Sequence, residues 1–201
     1  VHKILLLSLT VLALATPGAL AQTPEECLAR VRTMKPKIPG MMDGCKTLIK
    51  NLIPDPVAYE KSLPPFSQVL SGKDTLNFKN YGGLAEAYYY KGDKTKGESL
   101  YKPFAAHATE LLGASDNFAA GVTGDIGLLY FSADDYAHAE PFLLSAIKQI
   151  EKNTTPAIAN NLIADYMCIA LIRDKQGKIA EASQYSKKLV ETATKLRDNK
   201  L

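Results

Sequence analysis

The side chains able to do chemistry in this chain are few and scattered. Beyond residue 21 there are two histidines, His107 and His138. Neither has a cysteine or a second histidine at ligand spacing, so no metal centre is expected. Cys168, in the run "YMCIAL", sits among apolar neighbours and reads as a buried structural thiol. A reactive thiolate would need nearby positive charge, which the local sequence does not offer. The paired carboxylates Asp134-Asp135 and Glu25-Glu26 fall at a turn and a helix start, where solvation and the helix dipole account for them better than acid–base catalysis does. "SGKDT" at residues 71–75 lacks the spaced glycines of a phosphate loop, and Asn153-Thr154-Thr155 is an isolated glycosylation sequon. With no nucleophile, base and orienting group in company, the chain is expected not to be an enzyme and to need no cofactor.

Whatever the protein does must therefore come from the surface its elements build. Residues 1–21 have the layout of a secretory signal peptide: His2 and Lys3, an apolar run from Ile4 to Ala15, a Pro17-Gly18 break and Ala19-Leu20-Ala21 before Gln22. The run is shorter than the roughly 20 residues that span a bilayer, so no stable membrane span is expected after cleavage. Val1 reads as an alternative start codon taken literally, which favours a bacterial source and a periplasmic or secreted location. Without residues 1–21 the formal charge is +2, from 23 basic and 21 acidic side chains, and no basic patch points to nucleic acid. There are ten tyrosines and no tryptophan.

Laid over itself, the remaining sequence repeats. Tyr81-x-x-Leu84-Ala85-x-x-Tyr88 recurs as Thr123-x-x-Ile126-Gly127-x-x-Tyr130 and, more faintly, as Tyr166-x-x-Ile169-Ala170-x-x-Arg173. Gly97-x-x-x-Tyr101, Ala139-x-x-x-Leu143 and Ala182-x-x-x-Ser186 keep the same step. Large and small residues at three- and four-residue spacing describe pairs of helices that approach closely at Ala85, Gly127 and Ala170. Lys91-Gly92-Asp93, Ala133-Asp134-Asp135 and Gln176-Gly177-Lys178 supply the turns. Three helical hairpins are expected, over about 74–115, 116–157 and 158–201.

This pattern resembles the tetratricopeptide repeat, with a longer step than its usual ~34 residues. "AEPFLLSAIKQIEKNTTPAIANNL", from Ala139 to Leu162, is similar to the variety found in kinesin light chains. The resemblance implies an all-α, right-handed α-solenoid of about three hairpins whose first helices line a concave groove. That groove would hold a protein or an extended peptide in the cell envelope. Carried onto this chain, the groove positions are Glu86, Tyr89 and Tyr90, then Leu128 and Phe131, then Leu171, Asp174 and Lys175. Tyr88 belongs to the core, since adjacent residues on a helix diverge by about 100°; for Tyr89 and Tyr90, packing against residues 53–73 is an equal alternative to ligand contact. Gly82, Glu86, Gly124 and Leu128 stand where chaperone-binding members grip a C-terminal carboxylate, so that mode is not expected. Arg173 and Ser186 replace aromatics in the third copy, which reads as a terminal cap.

Residues 22–73 stand outside the repeat. Thr23-Pro24-Glu25-Glu26 is a capping box opening a helix to about Met34, and a second helix is expected from about Met41 to Leu52. Cys27 and Cys45 are the candidates for a disulfide that would pin the two as a hairpin, closing a loop of about 19 residues and contributing roughly 3 kcal/mol. Pro54, Pro56, Pro64 and Pro65 make residues 53–66 an irregular connector. The function expected is non-catalytic binding of a partner. The alternatives are an accessory domain of an envelope enzyme and a subunit that self-associates through the ends of the stack.

Overall fold

The computed structural model describes residues 23–34, 50–113 and 116–201, and among these it is helical with no strand. Helix α1 runs over Pro24–Met34, α2 over Pro56–Ser62 and α3 over Phe66–Gly72; α4 (Thr75–Tyr90) and α5 (Lys94–Leu112), α6 (Phe118–Ser132) and α7 (Tyr136–Ile150), and α8 (Pro156–Lys175) and α9 (Ile179–Arg197) follow as three pairs. Each pair packs on itself, α6 packs on α4, and α8 packs on α7 and α6.

The three turns are copies of one another in backbone geometry. Gly92, Asp134 and Gly177 take left-handed φ angles of 87°, 57° and 74° at equivalent positions. In each turn the amide of the next residue returns to the preceding helix: Asp93 donates to the Tyr88 carbonyl, Asp135 to that of Tyr130 and Lys178 to that of Arg173. Asp93 and Asp135 then cap α5 and α7, accepting from the amides of Lys96 and His138. Glycine carries the left-handed conformation without steric cost, and aspartate is among the few other residues that tolerate it.

Within the pairs, close approach is set by the small residues. A Cβ on Gly97 would lie 2.6 Å from the Tyr89 ring and 3.1 Å from the Ala85 carbonyl, and one on Gly127 would lie 2.8 Å from Leu143 Cγ. Ala139 and Ala182, the counterparts of Gly97, are wholly buried. In the third pair Arg173 replaces a tyrosine and is held by Glu140 at 2.5 Å and Glu181 at 2.9 Å, while Ser186 is buried with its hydroxyl donating to the Ala182 carbonyl.

Thr23 and Glu26 form the expected reciprocal cap of α1, Thr23 N donating to Glu26 Oε2 and Glu26 N to Thr23 Oγ1. The chain then divides. Helix α1 packs on α9 and α8 at one end of the stack, whereas α2 and α3 pack on α4 at the other. There the Tyr81 hydroxyl donates to the Pro64 carbonyl, the Tyr88 hydroxyl to Glu60 Oε2, and the Phe66 ring stacks on Tyr81 with centroids 4.1 Å apart.

The stretch expected to be irregular is thus partly helical. Pro56 opens α2 instead of breaking it, because proline's missing amide hydrogen is not needed in a first turn that Asp55 caps. Residues 1–21, Cys45 and most of the expected 41–52 helix lie outside the described residues. Cys27 is buried on α1, and no disulfide is found among the described residues. No described helix is long and apolar enough to cross a membrane.

Candidate functional site

Equivalent positions on α4, α6 and α8 were expected to share one groove, and the structure treats them differently. Glu86, Tyr89, Leu128 and Phe131 are all buried, with relative exposures of 1 to 6%. Tyr89 packs between the helices of its own pair, against Gly97 and edge-on to Tyr130 at 5.9 Å. It is a core residue alongside Tyr88, because the 97 position carries no side chain to keep the ring out. Phe131 is tilted against Tyr136 at 5.2 Å, and Tyr90 is half-buried.

The third copy is the one that opens outward. Leu171, Asp174 and Lys175 line a cleft of about 330 Å³ together with Tyr136, from the start of α7, and Arg32, from α1. Asp174 occupies the position of Tyr89 and Phe131, and α1 stands beside it. Arg32 grips it two-handed, Nε donating to Oδ2 at 2.8 Å and Nη2 to Oδ1 at 2.6 Å. This guanidinium holds the Asp174 carboxyl below the usual carboxylate range. The Lys175 ammonium lies 4.4 Å above the Tyr136 ring, whose hydroxyl donates to Asp134 in the preceding turn. The cleft thus has an apolar floor in Leu171, an aromatic wall backed by Phe131, and two cations against one carboxylate.

No family model, no curated protein and no solved structure matches this chain. The cleft has therefore to be read from its own chemistry. It presents donors, charge and a ring face over an apolar floor. Three of its five residues were legible as repeat positions. Tyr136 could have been found from its place directly after the Asp134-Asp135 turn, which the register aligns with Lys94. Arg32 could not, because 142 residues separate it from Asp174 and no local pattern links them.

The remaining candidates are placed as follows. Cys168 is wholly buried. His138 is exposed and held by Asp135, and His107 Nδ1 lies 2.9 Å from the Pro103 carbonyl; no metal-holding group exists among the described residues. Gly82 and Gly124 are closed positions, packed against Phe104 and Asp165.

Sequence reasoning missed Asp165. It is fully buried in α8, its carboxylate oxygens have no hydrogen-bond partner among the described residues, and both lie 3.0 Å from where a Cβ on Gly124 would be. Burial pushes this carboxyl well above the ordinary range and the charge of Asp125, on α6, adds to the shift. The Cys168 thiol is raised by the same burial and by Asp165.

Proposed function

We propose that the chain is a non-catalytic interaction module, a right-handed α-solenoid of three tetratricopeptide-like hairpins that binds a protein or extended peptide in the cell envelope. The observation that carries this reading is the cleft in which Leu171, Asp174 and Lys175 meet Tyr136 and Arg32. The left-handed residue shared by the three turns, at Gly92, Asp134 and Gly177, supports the repeat assignment. The excess of cations over an apolar floor favours a peptide segment in which an acidic side chain stands next to an apolar or aromatic one. The lysine remains able to take a carboxylate, and the ring and Leu171 supply contact area with little entropy to lose.

The test is a selection of peptides from a displayed random library on the chain beginning at Gln22, with affinities measured for the recovered sequences. Lys175→Glu and Arg32→Ala should each weaken binding about tenfold or more, as expected of truncated anchors at a binding centre, with melting unchanged in Lys175→Glu and lowered in Arg32→Ala, which also loses the contact between α1 and Asp174. Undiminished binding by both variants would place the partner on another face. Self-association through bare ends of the stack has less support, since α2 and α3 cover α4 while α1 covers α9 and α8. Export rests on the apolar run from Ile4 to Ala15, and intact mass of the protein recovered from an envelope fraction should correspond to a chain starting at Gln22.

A further inference from the structure

Of the five residues that line the cleft, four come from the second and third helical pairs and one, Arg32, comes from α1. The site is thus divided between two parts of the fold, and their contact is secured at few points. Among the described residues of α1, Cys27, Leu28 and Val31 are buried, and the Arg32–Asp174 pair adds to them at the edge. An 11-residue helix is too short to hold its shape alone in water, even with the Thr23–Glu26 cap, so α1 orders where α9 and α8 receive it. An element held by so few buried side chains opens at a lower free energy than the molecule as a whole.

Asp174 does not exhaust Arg32. A guanidinium carries more N–H groups than those on Nε and Nη2 that face Asp174, and its Nη1 edge is left for another acceptor. The Arg32 side chain is 52% exposed, against 19% for Asp174. Asp174 fixes the plane of the guanidinium, while Lys175, the next residue of α8, holds its ammonium over the Tyr136 ring. An acidic group entering the cleft is met by one cation from each part of the site, Arg32 from α1 and Lys175 from α8. We infer that the docking of α1 completes the binding site, and that a ligand bearing an acidic group clamps α1 onto the third helical pair. The seating of α1 is then the switch of the site, closed by the ligand and open in its absence. The inference rests on the cleft being where the partner binds. The coupling is reciprocal: the factor by which a seated α1 raises ligand affinity is the factor by which the ligand favours the seated α1.

The probe is an acidic, apolar peptide recovered in the library selection, bound to the chain beginning at Gln22. The readout is hydrogen exchange across residues 27–33, followed by mass spectrometry. With the peptide at about 100 times its Kd, exchange through opening of α1 should slow by up to about a hundredfold. Leu28→Asp alters the seat of α1 and none of the five cleft residues. In that variant exchange across 27–33 should approach the rate of an unfolded chain and peptide binding should weaken about tenfold or more, with circular dichroism checking that the three pairs stay folded. Two results would each overturn the inference while leaving the cleft as the binding site: exchange across 27–33 as fast with saturating peptide as without it, or a Leu28→Asp chain with α1 unseated that binds the peptide as the wild-type chain does. Peptide binding that ignores Lys175→Glu would remove the cleft as the binding site and the inference with it.

Discussion

Asp165→Asn is expected to stabilise the protein at neutral pH and to leave it nearly unchanged at pH 3. The carboxyl is fully buried with no hydrogen-bond partner for either oxygen among the described residues, and its folded-state pKa is raised by burial and by Asp125. Below the unfolded value of about 3.9 both states are protonated and the residue contributes nothing. As pH rises above it, the unfolded chain releases its proton while the folded chain retains one, so stability falls until the folded-state pKa is passed. Each unit by which that pKa is raised costs about 1.4 kcal/mol at neutral pH, and asparagine removes the cost while keeping the shape against Gly124. The measurement is thermal or urea unfolding of both proteins from pH 3 to 8. Their difference should widen as pH rises above about 4; a flat difference would mean that Asp165 ionises as readily folded as unfolded. Comparing the two proteins cancels Asp135, Asp174 and Asp198, whose lowered pKa values act in the opposite sense as the solution is acidified.

Gly127→Ala and Gly121→Ala lie on the same helix and should move stability in opposite directions. A Cβ at 121 would meet Asn161 and Ile158 at 3.7 Å, ordinary contact, so the helical preference of alanine prevails and the protein gains up to about 1 kcal/mol. At 127 the new atom would lie 2.8 Å from Leu143 Cγ and 3.1 Å from the Leu143 backbone nitrogen, which cannot swing aside. Overpacking of this kind costs roughly 1–3 kcal/mol, enough to cancel the helical gain and lower the melting temperature by several degrees. Gly127→Val should cost more again. If Gly127→Ala melts no lower than the wild-type chain, α6 and α7 do not approach as closely as described.

These cases show what the sequence discloses and where it stops. The turns were legible because a short motif fixes them: Gly92, Gly177 and Asp134 stand where only a left-handed backbone will serve, and Thr23 with Glu26 states a helix start outright. Gly127 was legible as a point of close approach from the large-and-small spacing around it. Tyr89 was not, since the spacing that puts Tyr88 on a buried face leaves its neighbour undecided until Gly97 is known to leave room for the ring. Pro56 was misread because proline looks the same in sequence whether it ends a helix or begins one. Asp165 gave no signal at all; a carboxylate in an apolar run declares its surroundings only when α6 is laid against it. The cleft was half legible, with three residues in the repeat register and Arg32 arriving from the far end of the chain.

The seat of α1 bears on how the molecule comes apart and together. A row of helical pairs that touch only their neighbours has short-range contacts, unfolds in stages from its ends, and forms quickly wherever a nucleus appears. Here α1 docks on the third pair, far from it in sequence, and the Arg32–Asp174 contact spans 142 residues. One long-range closure of this sort protects the end that would otherwise fray and couples it to the opposite terminus. Denaturation should then approach a single cooperative transition, with a slower final folding step than a bare three-pair row would show.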